Sequence, residues 1–342
     1  MNGMQIIKNE IVGGSSETHI GFAHIFNSDA LEVYDTWKPP TTIMSDGAYG
    51  INNFGFDGDA MHESELNDWY EPHIKKWSEF STPQTTLWFW CTEQGWASVH
   101  SLFLKYGWAF KSCNIWNKGI GHIAGNTNTK TISHLPITTE VCVQYVKTPF
   151  FIVKGKNMTM KEWLRYEWGR TKLPFSKANE ACGVSDAATR KYFTKSDLWY
   201  MPPSDAFEKI SEYANLYGDE YGKPYFSIDG VTPMTKNDWC AYRPKFHCPF
   251  GITNVWSVPQ LRNGERLKTK SGKSIHLNQK PKEIIKMLIE MTTDENDIVW
   301  EPFGGLCTSA VVSNEIGRIC YSAELNKNIY NEAIKRITNC YE

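Results

Sequence analysis

Hydrophobic positions in the first 150 residues come in short runs broken by polar turns, and their spacing switches between two periods. Residues 19–27 and 41–44 are brief apolar runs bounded by turn residues, which predicts strands; 29–37 between them reads as a helical connector. Over 65–80 the apolar and aromatic positions are Leu66, Trp69, Tyr70, Ile74, Trp77 and Phe80, a spacing that lines one face of a helix and predicts packing on a sheet. A polar loop precedes it at 52–64. Residues 85–92, TTLWFWCT, predict a buried strand, 98–107 a helix ending at Gly107, and 108–119 and 140–147 two further strands. Strands alternating with helices predict an α/β, doubly wound sheet.

The alternation lapses over 151–270, where helical pieces, loops and basic residues mix. Within it, 175–193 (FSKANEACGVSDAATRKYF) predicts a helix through Ala178–Ala181, a tight turn at Gly183 and a second helix from Ser185 as N-cap. That is the helix-turn-helix pattern, whose second helix enters the major groove of duplex DNA; here it would carry Thr189, Arg190 and Lys191, with Lys177 on the first helix. An ordinary helical hairpin leaves the same signature. Met201-Pro202-Pro203-Ser204 reads as a loop of this region. From 276 the regularity returns. Residues 276–293 predict a helix with Pro281 near its start and Ile284, Ile285, Leu288 and Ile289 on one stripe; 296–337 then read strand, glycine turn, helix, strand, helix. The chain therefore divides as 1–150, an inserted 151–270, and 271–342.

Composition changes this picture little. Hydrophobic residues make up 41% and charged residues 22%, as in ordinary soluble globular proteins, and no run of about 18 apolar residues predicts a membrane span. The N-terminal stretch lacks the apolar core of a secretory signal. Nine scattered cysteines, without CxxC pairs or metal-ligand spacing, predict free thiols in a reducing, cytoplasmic setting and no metal. The 14 tryptophans predict a large aromatic core. Charge is more informative. The net value of −2 conceals a gradient: 1–150 carry about 9 Lys/Arg against about 15 Asp/Glu, 154–195 about 10 against about 4, and 243–286 about 10 against about 2. An acidic third followed by basic blocks suits a polyanionic partner, although a solvated basic face has the same composition.

Candidate chemistry begins with the sequence around 301. Gly304-Gly305 follow a strand ending in Glu301 and precede a helix; the next strand ends in Glu324, 23 residues further on. Glycines admit a ligand to the backbone, and an acid about 20 residues later can hold ribose hydroxyls. The pattern is not GxGxxG and has no basic residue for a pyrophosphate. An adenosine-bearing ligand without phosphates, such as S-adenosylmethionine, fits better than a dinucleotide.

EPFGGLCTSA followed by AELN resembles the cofactor motif of amino-group DNA methyltransferases, usually Asp-Pro-Phe-x-Gly-Ser-Gly-Thr. HLNQKP at 276–281 is similar to that family's His-Pro-x-Gln-Lys-Pro, and SDGAYG at 45–50 to its catalytic Asp-Pro-Pro-Tyr. The order of the three resembles the permuted subgroup called the beta class, with the middle of the chain where the family keeps target recognition. The resemblance implies a Rossmann-like methyltransferase sheet, S-adenosylmethionine as cofactor, double-stranded DNA as partner and a possible companion restriction endonuclease, in a monomer or homodimer. It implies cofactor-binding roles for Glu301, Pro302, Phe303, Gly304, Gly305, Thr308, Glu324, His276, Gln279 and Lys280 and catalytic roles for Asp46, Gly47, Ala48 and Tyr49, while the helix-turn-helix pattern gives DNA-binding roles to Lys177, Ser185, Thr189, Arg190 and Lys191. The chain departs from the pattern at Glu301 in place of Asp, at Leu306-Cys307, and at Gly47-Ala48 in place of the double proline.

The exocyclic amine of adenine or cytosine is a poor nucleophile because its lone pair is delocalised into the ring. Accepting both amine hydrogens localises that pair: the Asp46 carboxylate would take one and the Gly47 carbonyl the other, with Tyr49 stacked on a base extruded from the duplex. Within the family an acid in first place accompanies adenine N6 more often than cytosine N4, where serine is usual, so N6 is expected and N4 is the alternative. RNA or a protein glutamine as substrate, and a non-catalytic DNA-binding protein on this scaffold, are the remaining readings.

Overall fold

The computed structural model describes residues 7–12, 15–51, 61–123, 130–219, 222–261, 264–269, 271–276 and 278–340. Most of the polar loop expected at 52–64, namely 52–60, lies outside them. The chain divides into two compact units, one formed by 1–147 with 244–342 and the other by 148–243.

The first unit begins with β1 (Ile7–Val12), β2 (Ser15–Ile20) and β3 (Ala23–Asn27), an antiparallel meander. The single strand expected over 19–27 is thus the end of one strand and all of the next. The chain reverses at Gly21, whose φ of 62° suits glycine. The connector α1 (Ala30–Val33) is capped by Asp29, whose Oδ1 accepts the Leu31 N–H at 2.9 Å. Then come β4 (Thr42–Ser45), α2 (Leu66–Phe80), β5 (Thr86–Cys91), α3 (Glu93–Lys105), β6 (Trp108–Asn117) and β7 (Thr139–Lys147). Every residue of β4 and β5 is buried, as strands covered on both faces must be.

The second unit holds the hairpin β8 (Phe150–Val153) and β9 (Lys156–Thr159), then α4 (Met160–Arg170), α5 (Lys177–Cys182), α6 (Ala187–Lys191), α7 (Ser204–Tyr217) and α8 (Lys236–Ala241). It has its own core, including Trp163, Trp168, Phe207 and Trp239. Gly183 ends α5 in the left-handed conformation, as the sequence predicts. Ser185 does not cap the next helix: α6 starts at Ala187, the cap position is Asp186, and no side chain caps it. Asn179 fixes this start instead, its Oδ1 accepting the Thr189 N–H at 3.0 Å. The Met201–Ser204 stretch leads into α7.

The chain re-enters the first unit with β10 (Val255–Trp256), α9 (Lys282–Thr292), β11 (Ile298–Glu301), α10 (Thr308–Ile316), β12 (Ile319–Ala323) and α11 (Lys327–Asn339). Residues 244–270, grouped by sequence with the middle region, pack in this unit because β10 pairs in parallel with the end of β6. The ten described strands of this unit form one sheet in the order β1-β2-β3-β12-β11-β4-β5-β7-β6-β10. Neighbours from β3 to β5 run parallel, while β7 is antiparallel to both β5 and β6.

The sheet is covered on both faces, as the doubly wound class requires. Successive side chains of a strand point to opposite faces. On β5, Phe89 meets Tyr70 of α2 and Phe103 of α3, whereas Trp88 turns its indole Nε1 to Thr292 of α9. The aromatic core is real: Trp77, Trp88, Trp90, Trp108 and Trp300 are fully buried. All nine cysteines are free. No helix of the described residues is long and apolar enough to cross a membrane.

Candidate functional site

Strands β4 and β11 lie side by side, yet the chain leaves them in opposite directions. From β4 it passes through α2 to β5; from β11 it passes through α10 to β12 on the other side. A crevice opens where such connections diverge, at the carboxyl ends of the strands. The β4 end carries Asp46–Tyr49 and the β11 end carries Pro302–Gly305. Asp46 and Gly47 of the first loop and all four residues of the second line one cavity of about 420 Å³, together with Trp69, His73, His276, Gln279, Lys280, Glu301, Thr308 and Glu324. The two loops touch. A Cβ added to Gly47 would stand 2.7 Å from the Phe303 ring and 2.8 Å from the Tyr70 hydroxyl, so this position takes glycine because neighbouring rings fill the space.

The turn after β11 is held by buried polar groups. Glu301 Oε1 accepts the Ser309 N–H at 2.7 Å, and Oε2 accepts the Ser322 hydroxyl at 2.9 Å and the Ala310 N–H at 3.3 Å. Its carboxylate thus closes the N-terminus of α10, where a helix leaves its first N–H groups unpaired. Gly305, at φ 51°, donates its N–H to Glu324 Oε2 at 2.8 Å, and Glu324 Oε1 accepts the Asn326 N–H at 2.7 Å. Cys307, standing where the family pattern has its last glycine, is also left-handed, with φ 51°. Arg336 of α11 braces the loop, donating to the Leu306 carbonyl and the Thr308 hydroxyl at 2.9 Å each. Gln279 bonds backbone on both sides, Nε2 to the Glu265 carbonyl at 2.8 Å and Oε1 from the Leu267 N–H at 3.1 Å. His276 flanks Gly305, 3.5 Å from where its Cβ would be. The sequence carried no signal for Arg336.

Burial outweighs the hydrogen bonds from Ser309, Ser322 and Ala310 and pushes the Glu301 carboxyl up to about 7, from an ordinary value of 4.5. A native carboxyl that holds its proton more tightly than the unfolded one stabilises most below the unfolded value. That contribution drains away as pH rises toward about 7. Glu301→Gln cannot titrate. Relative to wild type, the variant should gain about 3 kcal/mol of unfolding free energy between about pH 4.5 and 7. Urea unfolding across that range measures it; parallel stability curves would contradict the assignment.

The loop after β4 carries a second network. Tyr49 donates its hydroxyl to Asp46 Oδ1 at 2.7 Å and lies 3.3 Å from Glu140 Oε2. Lys280 Nζ reaches the same Asp46 oxygen at 2.8 Å, the Tyr49 hydroxyl at 2.9 Å and Glu140 Oε2 at 3.4 Å. Lys118 completes the set as the ion-pair partner of Glu140. Burial alone would depress the Lys280 ammonium, but Asp46 and Glu140 overcome it and hold its affinity for the proton above the usual range. Burial likewise opposes the Glu140 charge, and Lys280 with Lys118 reverses that, holding its carboxyl below the usual range. Burial and the two carboxylates push the Tyr49 phenol well up, so it stays a donor. Lys280, grouped by sequence with the cofactor motif, therefore sits on the Asp46 carboxylate, and neither Glu140 nor Lys118 was singled out.

A second cavity, of about 450 Å³, lies beyond this network, lined by Tyr49, Thr92, Trp116, Lys118, Ile137 and Glu140 among others; Asn278, Gln279 and Lys280 line both cavities. The Ala48 carbonyl accepts the Tyr70 hydroxyl at 2.9 Å, whereas the Gly47 carbonyl receives no donor among the described residues. The arrangement can present two acceptors, a carboxylate and a backbone carbonyl, to one amine between two adjoining cavities.

In the second unit, Lys177 pairs with Glu180 at 2.6 Å and Thr189 Oγ1 bonds Asn179. Arg190 is 76% exposed and lies 3.2 Å from Asp186; Lys191 and Ser185 are also exposed.

The sequence matches the family described as DNA methylase (N6_N4_Mtase) over residues 40–335. Among curated proteins, it is 35% identical over 95 residues to the type II methyltransferase M.HindIII of Haemophilus influenzae, covering 25% of this chain and 31% of that protein. It is 30% identical over 130 residues to the type II methyltransferase M1.MboII of Moraxella bovis, covering 37% of this chain and 50% of that protein. The chain thus spans half or less of these relatives' length. The PvuII DNA methyltransferase (cytosine-N4-specific) shares the fold, with a TM-score of 0.51 over 93% of this chain and 91% of that one at 11% identity. A sheet whose parallel centre brings the loops after β4 and β11 into one cavity, and a match running through both of those strands and the segment between them, have one explanation: the chain belongs to the N6_N4_Mtase family of DNA methylases.

Proposed function

We propose that this protein transfers a methyl group from S-adenosylmethionine to an exocyclic amino group of a base in double-stranded DNA, with adenine N6 as the target. One observation carries the reading: Asp46 and the Glu301–Gly305 turn, 255 positions apart from first to first (301 − 46), share one cavity.

The residues present fit the cofactor. Among the described residues, Lys280 is the only lysine or arginine lining the 420 Å³ cavity, and it is engaged by carboxylates, so no described side-chain cation there awaits a phosphate. Asp29, Asp46, Asp68, Glu301 and Glu324 make the lining acidic, which suits a sulfonium cation. Glu324, held at the cavity wall by Gly305 and Asn326, would take the ribose hydroxyls, and the Phe303 and Trp69 rings offer apolar contact. Bound there, the cofactor supplies an electrophilic methyl carbon. The chain supplies position and acceptors. Asp46 and the Gly47 carbonyl would each take one amine hydrogen, leaving the nitrogen lone pair in the direction of the first cavity. Tyr49, at the wall of the second cavity, would lie against the extruded base.

The carboxylate at position 46 supports adenine over cytosine. Methylated plasmid DNA digested to nucleosides and resolved by mass spectrometry tests both levels. N6-methyladenine is expected; N4-methylcytosine alone would move the target, and no methylated base would remove the function. For DNA contact we propose Arg190 and Lys191, with Ser185 ahead of their helix; Arg190 would exchange its ion pair with the exposed Asp186 for the duplex, whereas Lys177 pairs with Glu180 and Thr189 bonds Asn179. Arg190→Ala should weaken duplex affinity by about 1–3 kcal/mol if the side chain reads a base edge. An unchanged dissociation constant would reject that contact.

A further inference from the structure

Asp46 has two carboxylate oxygens, and the protein treats them differently. Oδ1 receives both the Tyr49 hydroxyl, at 2.7 Å, and the Lys280 ammonium, at 2.8 Å, while Oδ2 receives no donor among the described residues. A carboxylate oxygen offers two lone-pair directions, so Oδ1 is saturated. Lys280 is itself fixed: its side chain is only 4% exposed, and its Nζ has Glu140 on the far side at 3.4 Å. Glu140 is in turn paired with Lys118. Two carboxylates and two ammonium groups balance, in a buried setting where an unpaired charge is costly.

We infer that Lys280 is a positioning residue for methyl transfer: with Tyr49 it occupies Asp46 Oδ1, so that Oδ2 is the oxygen offered to the target amine, and Glu140 is the anchor that holds the Lys280 ammonium in place. This rests on the DNA-methyltransferase reading above. It differs from the expectation carried by the motif at 276–281, in which Lys280 serves the cofactor. Lys280 touches neither the reacting nitrogen nor the methyl carbon in this scheme. It acts through Asp46, by fixing the carboxylate rotamer and by supplying the charge that lets Asp46 and Glu140 stand as anions around one tyrosine hydroxyl.

The test measures steady-state methyl transfer to DNA alongside S-adenosylmethionine affinity by calorimetry, for wild type, Lys280→Met, Glu140→Gln and the double variant. Lys280→Met should lower kcat by about 100-fold with the cofactor dissociation constant within about threefold of wild type. It leaves two buried carboxylates against one ammonium, and adding Glu140→Gln restores the balance. The double variant should therefore recover about tenfold of the lost kcat. A side chain needed only for packing would not be rescued by removing a charge at another position. Cofactor affinity falling in step with kcat, kcat close to wild type, or a double variant no faster than Lys280→Met would each overturn the inference. Should Lys280→Met fail to fold, Glu140→Gln alone decides: a kcat lowered about threefold to tenfold at unchanged cofactor affinity is expected, and an unchanged kcat overturns it. If wild type methylates no DNA, it is the underlying function that fails; if wild type is active, Asp46→Ala is dead and Lys280→Met is fully active, only the role of Lys280 fails.

Discussion

Asp46→Ala should lower kcat for DNA methylation by about 1,000-fold while the S-adenosylmethionine dissociation constant stays within about threefold of wild type. The asymmetry follows from where the side chain points. Its Oδ1 is committed to Tyr49 and Lys280, and its other oxygen is the one carboxylate acceptor proposed for the amine. Without it the amine keeps its lone pair in the ring, and Lys280 is left beside Glu140 with an unmatched positive charge in the set. The cofactor's proposed partner, Glu324, is held from a different strand by Gly305 and Asn326 and is untouched by the substitution. Single-turnover methylation with radiolabelled cofactor separates the chemical step from binding. Methylation at near wild-type rate would remove Asp46 from the chemistry.

Restoring a larger residue at position 47 should impair the proposed methyl transfer, even though the family pattern has proline there. Gly47→Ala is expected to lower kcat by about 100-fold, and Gly47→Pro to be no better. An added Cβ meets two atoms of the Phe303 ring at 2.7 Å and the Tyr70 hydroxyl at 2.8 Å. Neither neighbour can yield easily. Tyr70 is fully buried and bonds the Ala48 carbonyl, and Phe303 is hemmed by Trp69, His73 and Trp77. The backbone would move instead, carrying with it the Gly47 carbonyl and the Asp46 carboxylate, and misplacements of about 1 Å are enough to cost two orders of magnitude in rate. A Gly47→Ala enzyme with wild-type kcat would mean that this loop tolerates displacement.

Strong periodicity made much of the frame legible. The helix over Leu66–Phe80 and the buried strand over Thr86–Cys91 follow from the spacing and density of apolar residues alone. The turn at Gly304-Gly305 and the acids ending the flanking strands were legible because backbone approach requires glycine and a strand end places its last side chain at the sheet edge. Weaker local signals misled. Two strands and a reversal at Gly21 look like one apolar run when turn chemistry is read from a single glycine. Ser185 has the residue type of a cap, but Asn179 bonds Thr189 and sets the start of α6 two residues later.

The sequence by itself determined the strongly periodic elements, their order, and the two loops proposed to bear the chemistry, because each of these depends on neighbours a few positions apart. Only the tertiary structure decided which side chains surround Asp46. Lys280 reaches it across 234 positions, a pairing that follows from β11 lying beside β4. Glu140 stands near the start of its strand, where sequence reading expects no site residue. Because β7 runs antiparallel to β5, with Val141 opposite Cys91, that start lies at the carboxyl edge of the parallel strands. Cys307 looks like an ordinary small residue until its φ of 51° reveals the left-handed turn for which the family uses glycine. Strand order and direction are sums of many weak long-range contacts, and no local window of the chain contains them.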